Sequence, residues 1–161
     1  TGLVDETGRI AGRDEVPEAL ACFLTEEGGM PALKIAGDVT LTQKDIREIQ
    51  TAKAAIAAGV LSLLHHAERD IRDVKKVFLA GGFGNFMDPE SAVAIGLLPK
   101  EAADRIVPIG NAAGSGAAMA LLNGAYLEKC SAIRAVGEHV ELGHNAYFME
   151  QYVACMMFEK E

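Results

Sequence analysis

Hydrophobic and polar positions change their rhythm near residue 42 of this 161-residue chain. Before it, short apolar runs are broken by turn residues: "ALACFLT", a turn at "EEGGMP", then "ALKIA", a turn at Gly37-Asp38, and "VTL". That pattern predicts a β meander over residues 19 to 41. After it, Ile46, Ile49, Ile56, Val60, Leu63 and Leu64 recur at helical spacing. Thr42 stands at the N-cap position with Asp45 three residues on, so the spacing predicts a long helix that starts at Thr42.

Asp70 to Asp73 then turn the chain into a short apolar strand, 76 to 80, which runs directly into Gly81-Gly82. Asp88 is a natural N-cap, Pro89 suits the first helical position, and Gly96 closes a short helix. A second strand, "RIVPIG", also ends in a glycine, and "NAAGSGAAMALL" opens a small-residue helix. A helix over 124–136, a short strand at "HVEL" and a terminal helix from about Asn145 to Phe158 complete the prediction.

Two strand-glycine-helix units in succession predict parallel strands whose ends gather backbone N–H groups and helix N-termini at one sheet edge, a favourable place for phosphate. Gly81, Gly82 and Gly84 would let a ligand approach without a Cβ in the way, and Gly110, Gly114 and Gly116 would do the same at the second step. "GGFGNF" lacks the third glycine of a dinucleotide fingerprint and is not followed by the Lys-Ser or Lys-Thr of a P-loop, so those two classes drop out. On spacing alone, tight turns and close helix-sheet packing explain the glycines as well as ligand binding does.

Composition narrows the choice further. The formal net charge of -8 comes from acidic residues scattered along the chain, which leaves no basic stripe for a nucleic-acid backbone. No apolar run reaches membrane-spanning length. The three cysteines Cys22, Cys130 and Cys155 are far apart, which predicts reduced thiols, a cytoplasmic location and no four-cysteine iron-sulfur cluster in this chain. The opening "TGLVDETGRI" has neither an initiating Met nor signal-peptide order and reads as part of a longer protein.

His65 and His66 are adjacent on a helix and point about 100° apart, so they make no natural chelate, and no metal site is predicted. Asp88, directly before Pro89, reads as a helix cap rather than a general base. Phe148, Tyr152, Cys155 and Met156 repeat at helical spacing and read as core, with a dimer or partner contact as the alternative.

Together, "LTQKDIREIQTAKAAIAAG", "VFLAGGFGNFMDPESAVAIGLLP" and "IGNAAGSGAAMALL" resemble the C-terminal half of the nucleotide-binding domain of reductive activators of corrinoid proteins, RACo-type members of the ASKHA superfamily of acetate and sugar kinases, heat-shock chaperones and actin. The resemblance covers roughly residues 1 to 158. It implies an α/β fold, a ribonuclease H-like lobe with a mixed sheet and flanking helices. Residues 1–161 would form a single domain, the C-terminal nucleotide-binding lobe, with the other lobe and an iron-sulfur domain upstream.

By the same resemblance, Gly81 and Gly82, with Gly84, would lie against the ribose and phosphates of ATP or ADP. Glu90 would stand near the adenine pocket. Gln50 and Lys53, one helical turn apart, would correspond to an adenosine-contacting Glu-x-x-Lys pair, with Gln50 replacing the carboxylate. The full-length protein would use ATP with Mg to drive a low-potential electron from a ferredoxin-like iron-sulfur domain to a cob(II)alamin centre. Its partners would be a corrinoid protein and its own upstream domain, with a homodimer possible. The superfamily's phosphate loop and catalytic acids belong largely to the other lobe, so no catalytic residue is assigned and this piece alone is expected to be inactive. Two alternatives remain open: a dimerisation or corrinoid-protein docking module without productive nucleotide contact, and a lobe of a small-molecule kinase of the same superfamily.

Overall fold

The computed structural model describes residues 2–158, apart from the side chains of Phe83 and Asn85. The chain opens with a tight turn in which Val4 bridges Ile10 and Asp5 accepts hydrogen bonds from the backbone N–H groups of Thr7 and Arg9. A single helical turn, α1 (Glu18–Ala21), follows Pro17. The predicted first strand therefore begins late: Ala19 to Ala21 are helical, because Pro17 fixes the entry angle and Glu18 favours a helix N-terminus.

The meander itself is present as β1 (Leu24–Glu27), β2 (Met30–Ala36) and β3 (Val39–Thr42), paired antiparallel in that order. Leu24 and Leu33 face each other across β1 and β2, and Leu33 faces Leu41 on β3. Leu24 and Leu33 form the core cluster with Ile10 and Ile46, and Leu41 packs against it, as does Phe158 from the far end of the chain.

The long helix is α2 (Gln43–His66). Thr42 Oγ1 accepts from the Asp45 N–H at 3.2 Å while the Asp45 carboxylate accepts from the Thr42 N–H at 2.8 Å, so the expected start is a reciprocal capping box. Its buried face differs from the apolar repeat. Ile46 is buried, but Ile49, Ile56 and Leu63 are exposed, and the buried positions are Gln50, Lys53, Ala54, Ala57, Ala58 and Ser62. Helical period alone identified the element; the small residues on its inner face admit a close neighbour, the C-terminal helix.

Past a 3-10 turn at Ile71–Asp73, the parallel pair β4 (Val77–Ala80) and β5 (Ile106–Gly110) forms a second sheet. The strands thus divide between an antiparallel and a parallel sheet. The Gly-Gly step is not a loop: α3 (Gly81–Phe86) begins at the strand end, and α4 (Pro89–Ala94) follows. Gly81 turns this corner with a φ of 90°, a backbone that favours glycine. Asp88 caps α4, accepting from the Ser91 N–H at 2.8 Å and hydroxyl at 2.6 Å, as the sequence predicts. Gly96 (φ 75°) closes α4 in a Schellman turn, its N–H bonding to the Val93 carbonyl and that of Leu97 to Ala92.

After β5 come α5 (Ala112–Leu122), α6 (Ala125–Val136) and α7 (Ala146–Ala154). Residues 139–142 belong to no helix or strand and pair with no strand among the described residues, so the predicted strand at "HVEL" is not formed. The terminal helix starts after its Asn145 cap as expected and stops at Ala154, four residues short of the predicted end. It lies along α2, with Tyr147 stacked on His65 at 4.2 Å. Phe148, Tyr152, Cys155 and Met156 are half-buried there.

Candidate functional site

The strand-glycine-helix units place two strand ends and the starts of α3 and α5 at the same end of the parallel sheet. Gly81, Gly82 and Gly84 come together on α3. A Cβ built at Gly82 would meet nothing within 4 Å, so the backbone there is open to approach, and the same holds at Gly81. Gly84 is different: its Cβ would lie 3.2 Å from the Leu79 carbonyl carbon, so a side chain here would press α3 away from β4. At the second step Gly110 has a φ of 62° and Gly116 is open, while Gly114 donates its N–H to the Asn111 cap at 2.9 Å.

Glu90 is exposed on the first turn of α4, next to Asp88 and Pro89. The Ser91 hydroxyl and then the Ser91 N–H hold the Asp88 carboxyl below its ordinary value, the behaviour of a helix cap that stays ionised.

Gln50 and Lys53 belong to the long helix α2. They are 4% and 2% exposed, on the inner face of α2. Lys53 Nζ donates to the carbonyls of Cys155 at 2.6 Å and Met157 at 2.7 Å and lies 5.0 Å from the centre of the Phe158 ring. Gln50 Nε2 donates to the carbonyls of Met156 at 2.8 Å and Thr7 at 3.1 Å. Arg47 Nη1 donates to Thr7 at 2.6 Å and to Gln50 Oε1 at 2.8 Å, and Gln43 Nε2 donates to the Gly8 carbonyl at 2.6 Å. Polar side chains at 43, 47, 50 and 53 therefore form a ladder along α2 that takes up main-chain carbonyls from both ends of the chain.

Sequence reasoning missed this ladder because its partners lie up to 106 residues away. A signal was present: four polar residues with hydrogen-bonding side chains, spaced by four, three and three, recur along one face of the helix.

Among the described residues no group of three His, Cys, Asp or Glu side chains is arranged to hold a metal ion. No described helix is long and apolar enough to cross a membrane.

Comparison with known proteins gives three findings. The family model described as the C-terminal domain of RACo, the ASKHA domain, matches residues 1–161. The corrinoid activation enzyme RamQ of Eubacterium limosum is 40% identical over 121 residues, which is 75% of this chain and 20% of that protein. A solved structure of a reductive activator for corrinoid, iron-sulfur protein superposes with a TM-score of 0.84 at 27% identity, over 98% of this chain and 26% of that one. The chain thus spans about a quarter or less of the length of these relatives. The fold is the mixed α/β fold of that ASKHA domain, and the chain belongs to the family of C-terminal ASKHA domains of reductive activators of corrinoid proteins.

Proposed function

We propose that this chain supplies the adenosine side of an ATP cleft in a reductive activator of a corrinoid protein. The observation that carries the reading is the bare backbone at Gly81 and Gly82, at the carboxyl end of parallel strand β4 and the start of α3. Ligands of open α/β sheets bind outside the carboxyl ends of strands. Glu90, on the next helix, would border the adenine. The names of the relatives, a corrinoid activation enzyme and an activator of a corrinoid, iron-sulfur protein, support a corrinoid protein as partner.

In the larger protein, one electron would leave a reduced iron-sulfur cluster in an upstream domain and take the cobalt from Co(II) to Co(I). ATP hydrolysis, with Mg, would supply the driving force. Both metal sites and the catalytic acids would lie outside residues 1–161, and the setting would be cytoplasmic. This chain alone would bind nucleotide weakly, because half a cleft forfeits the contacts of the other side.

Titration of ADP into the protein, followed by NMR, tests the reading. Shifts at Gly81 and Gly82 that disappear in Gly82→Val are expected, since a branched side chain would fill the approach. Binding that survives Gly82→Val would overturn it. A second reading, docking of a partner or a second copy without nucleotide, is favoured by the exposed apolar side chains Leu121 and Leu122 on α5. It predicts a complex whose affinity is indifferent to ATP.

A further inference from the structure

We infer that Lys53 is a positioning residue: its ammonium ties the C-terminal segment to the turn that ends α4, and so fixes the helix that carries Glu90 beside the glycine step. Only the last link of this inference, to nucleotide, rests on the reading above.

Two helix ends meet at Lys53. The carbonyls it binds, Cys155 and Met157, belong to the C-cap of α7 and the turn after it. A Cβ at Gly96 would lie 3.5 Å from Nζ, and Gly96 is the left-handed residue of the turn closing α4. The C-terminus of α7 carries partial negative charge and favours the ammonium there, and the same ammonium lies close to the α4 turn at Gly96. Buried charges persist where hydrogen bonds compensate the lost water, and the carbonyls of Cys155 and Met157 supply two of them. The same junction surrounds a cavity of about 190 Å³ lined by Ala57, Leu61, Val93, Gly96, Leu98 and Cys155.

The adjoining residues are well packed. Ala92 on α4 and Leu98 just after it are buried, so the α4 end is held from both sides. Gln50, one turn before Lys53, holds the intervening Met156 carbonyl, so carbonyls 155, 156 and 157 are all taken up by α2. An ammonium in this place acts on the ligand site through α4 rather than by touching the ligand.

The test combines two variants with one spectroscopic probe. Lys53→Met keeps the apolar stem and removes the charge. Gly96→Ala strains the α4 turn at its left-handed residue and sets a methyl against Lys53 Nζ, while the charge and the carbonyls it binds are kept. In Lys53→Met, amide hydrogen exchange at residues 93–97 is expected to rise about tenfold or more. ADP affinity is expected to fall about tenfold in both variants. In the unchanged protein the 15N resonance of the Lys53 ammonium is expected to stay in place as ADP saturates, as it would not if Lys53 touched the nucleotide. Should Lys53→Met fail to fold, Gly96→Ala and the ammonium resonance decide the matter.

Unaltered exchange at 93–97 in Lys53→Met, or ADP affinity unchanged in Gly96→Ala, would overturn the inference. Movement of the ammonium resonance with ADP would overturn it in favour of direct contact. If the unchanged protein binds no ADP while exchange at 93–97 still rises in Lys53→Met, the nucleotide reading fails and the link from Lys53 to α4 stands.

Discussion

Around α2, the side chains of Ile10, Leu24, Leu33 and Ile46 close into a core, and Gln43, Arg47, Gln50 and Lys53 bind carbonyls from both chain ends. From β4 to α6 the chain is at least as apolar, yet Phe78, Val107, Met119, Leu121, Leu122 and Ile133 are exposed, and neither α5 nor α6 buries a residue. The first region covers its backbone polar groups with polar side chains. The second presents a two-stranded parallel sheet and an apolar helix to solvent. Parallel sheets ordinarily have both faces covered. The open glycine backbone belongs to this second region, so the candidate ligand edge and the exposed apolar surface lie on the same part of the fold, the part suited to receive something.

The sharpest way to break that contrast is to apply one kind of truncation to both regions. Ile46→Ala removes a 2% exposed side chain from the core and should cost about 2–5 kcal/mol in urea unfolding. Leu121→Ala removes one that is 88% exposed and should change stability by no more than about 0.5 kcal/mol. A loss at Leu121 comparable to that at Ile46 would mean that the α5 face is packed, and the comparison would collapse.

A smaller effect sharpens the description of the clasped region. Gly8 has a φ of 81°, and a Cβ there would lie 2.3 Å from Gln50 Oε1. Gln50 has little freedom to yield, because Thr7, Met156 and Arg47 all bond to it. Gly8→Ala should therefore destabilise by about 1–3 kcal/mol. It should also raise hydrogen exchange at residues 156–158, more than 140 residues away in sequence, since the same amide holds both chain ends. Exchange confined to the Gly8 turn would show that Gln50 does not couple the two ends.

What could be read in advance follows the same division. The α2 start, the meander, the two parallel strands and the Asp88 cap rest on local chemistry: Thr42 with Asp45, turn glycines, and Asp before Pro. Each is visible within a few residues. The inner face of α2 was not, because Ile49, Ile56 and Leu63 supply the strongest periodicity while the side that packs carries Ala54, Ala57 and Ala58 with Gln50 and Lys53. Which side of a helix is buried depends on what it meets, and here it meets the C-terminal segment. The glycine edge was legible as a backbone able to accept a close neighbour. That Gln50 and Lys53 hold carbonyls was not, since the same residue types suit either a ligand or a main chain.

The smallest expected effect concerns the joint between the two regions. Asp70 stands between α2 and β4, and its carboxylate accepts from the Arg72 N–H at 2.9 Å and from Arg72 Nε at 2.7 Å. The Arg72 side chain, then the Arg72 N–H, holds the Asp70 carboxyl at about 2, against an ordinary value of 3.8. A depressed pKa means that its contribution is complete above the unfolded value and is lost as pH falls through the folded one. The 3-10 turn at Ile71–Asp73 should therefore keep its protection near pH 5 and lose it between about pH 4 and 2. The side chains of the clasp bond to main-chain carbonyls, which do not titrate, so these bonds to both chain ends should outlast the joint. NMR titration of the Asp70 carboxyl, with amide exchange followed at Asp73 and Phe158, checks both halves of the statement. Because the ion pair is exposed, added salt should weaken the joint while leaving the clasp intact. Loss of protection at Phe158 before Asp73 would place the weaker junction in the buried region instead.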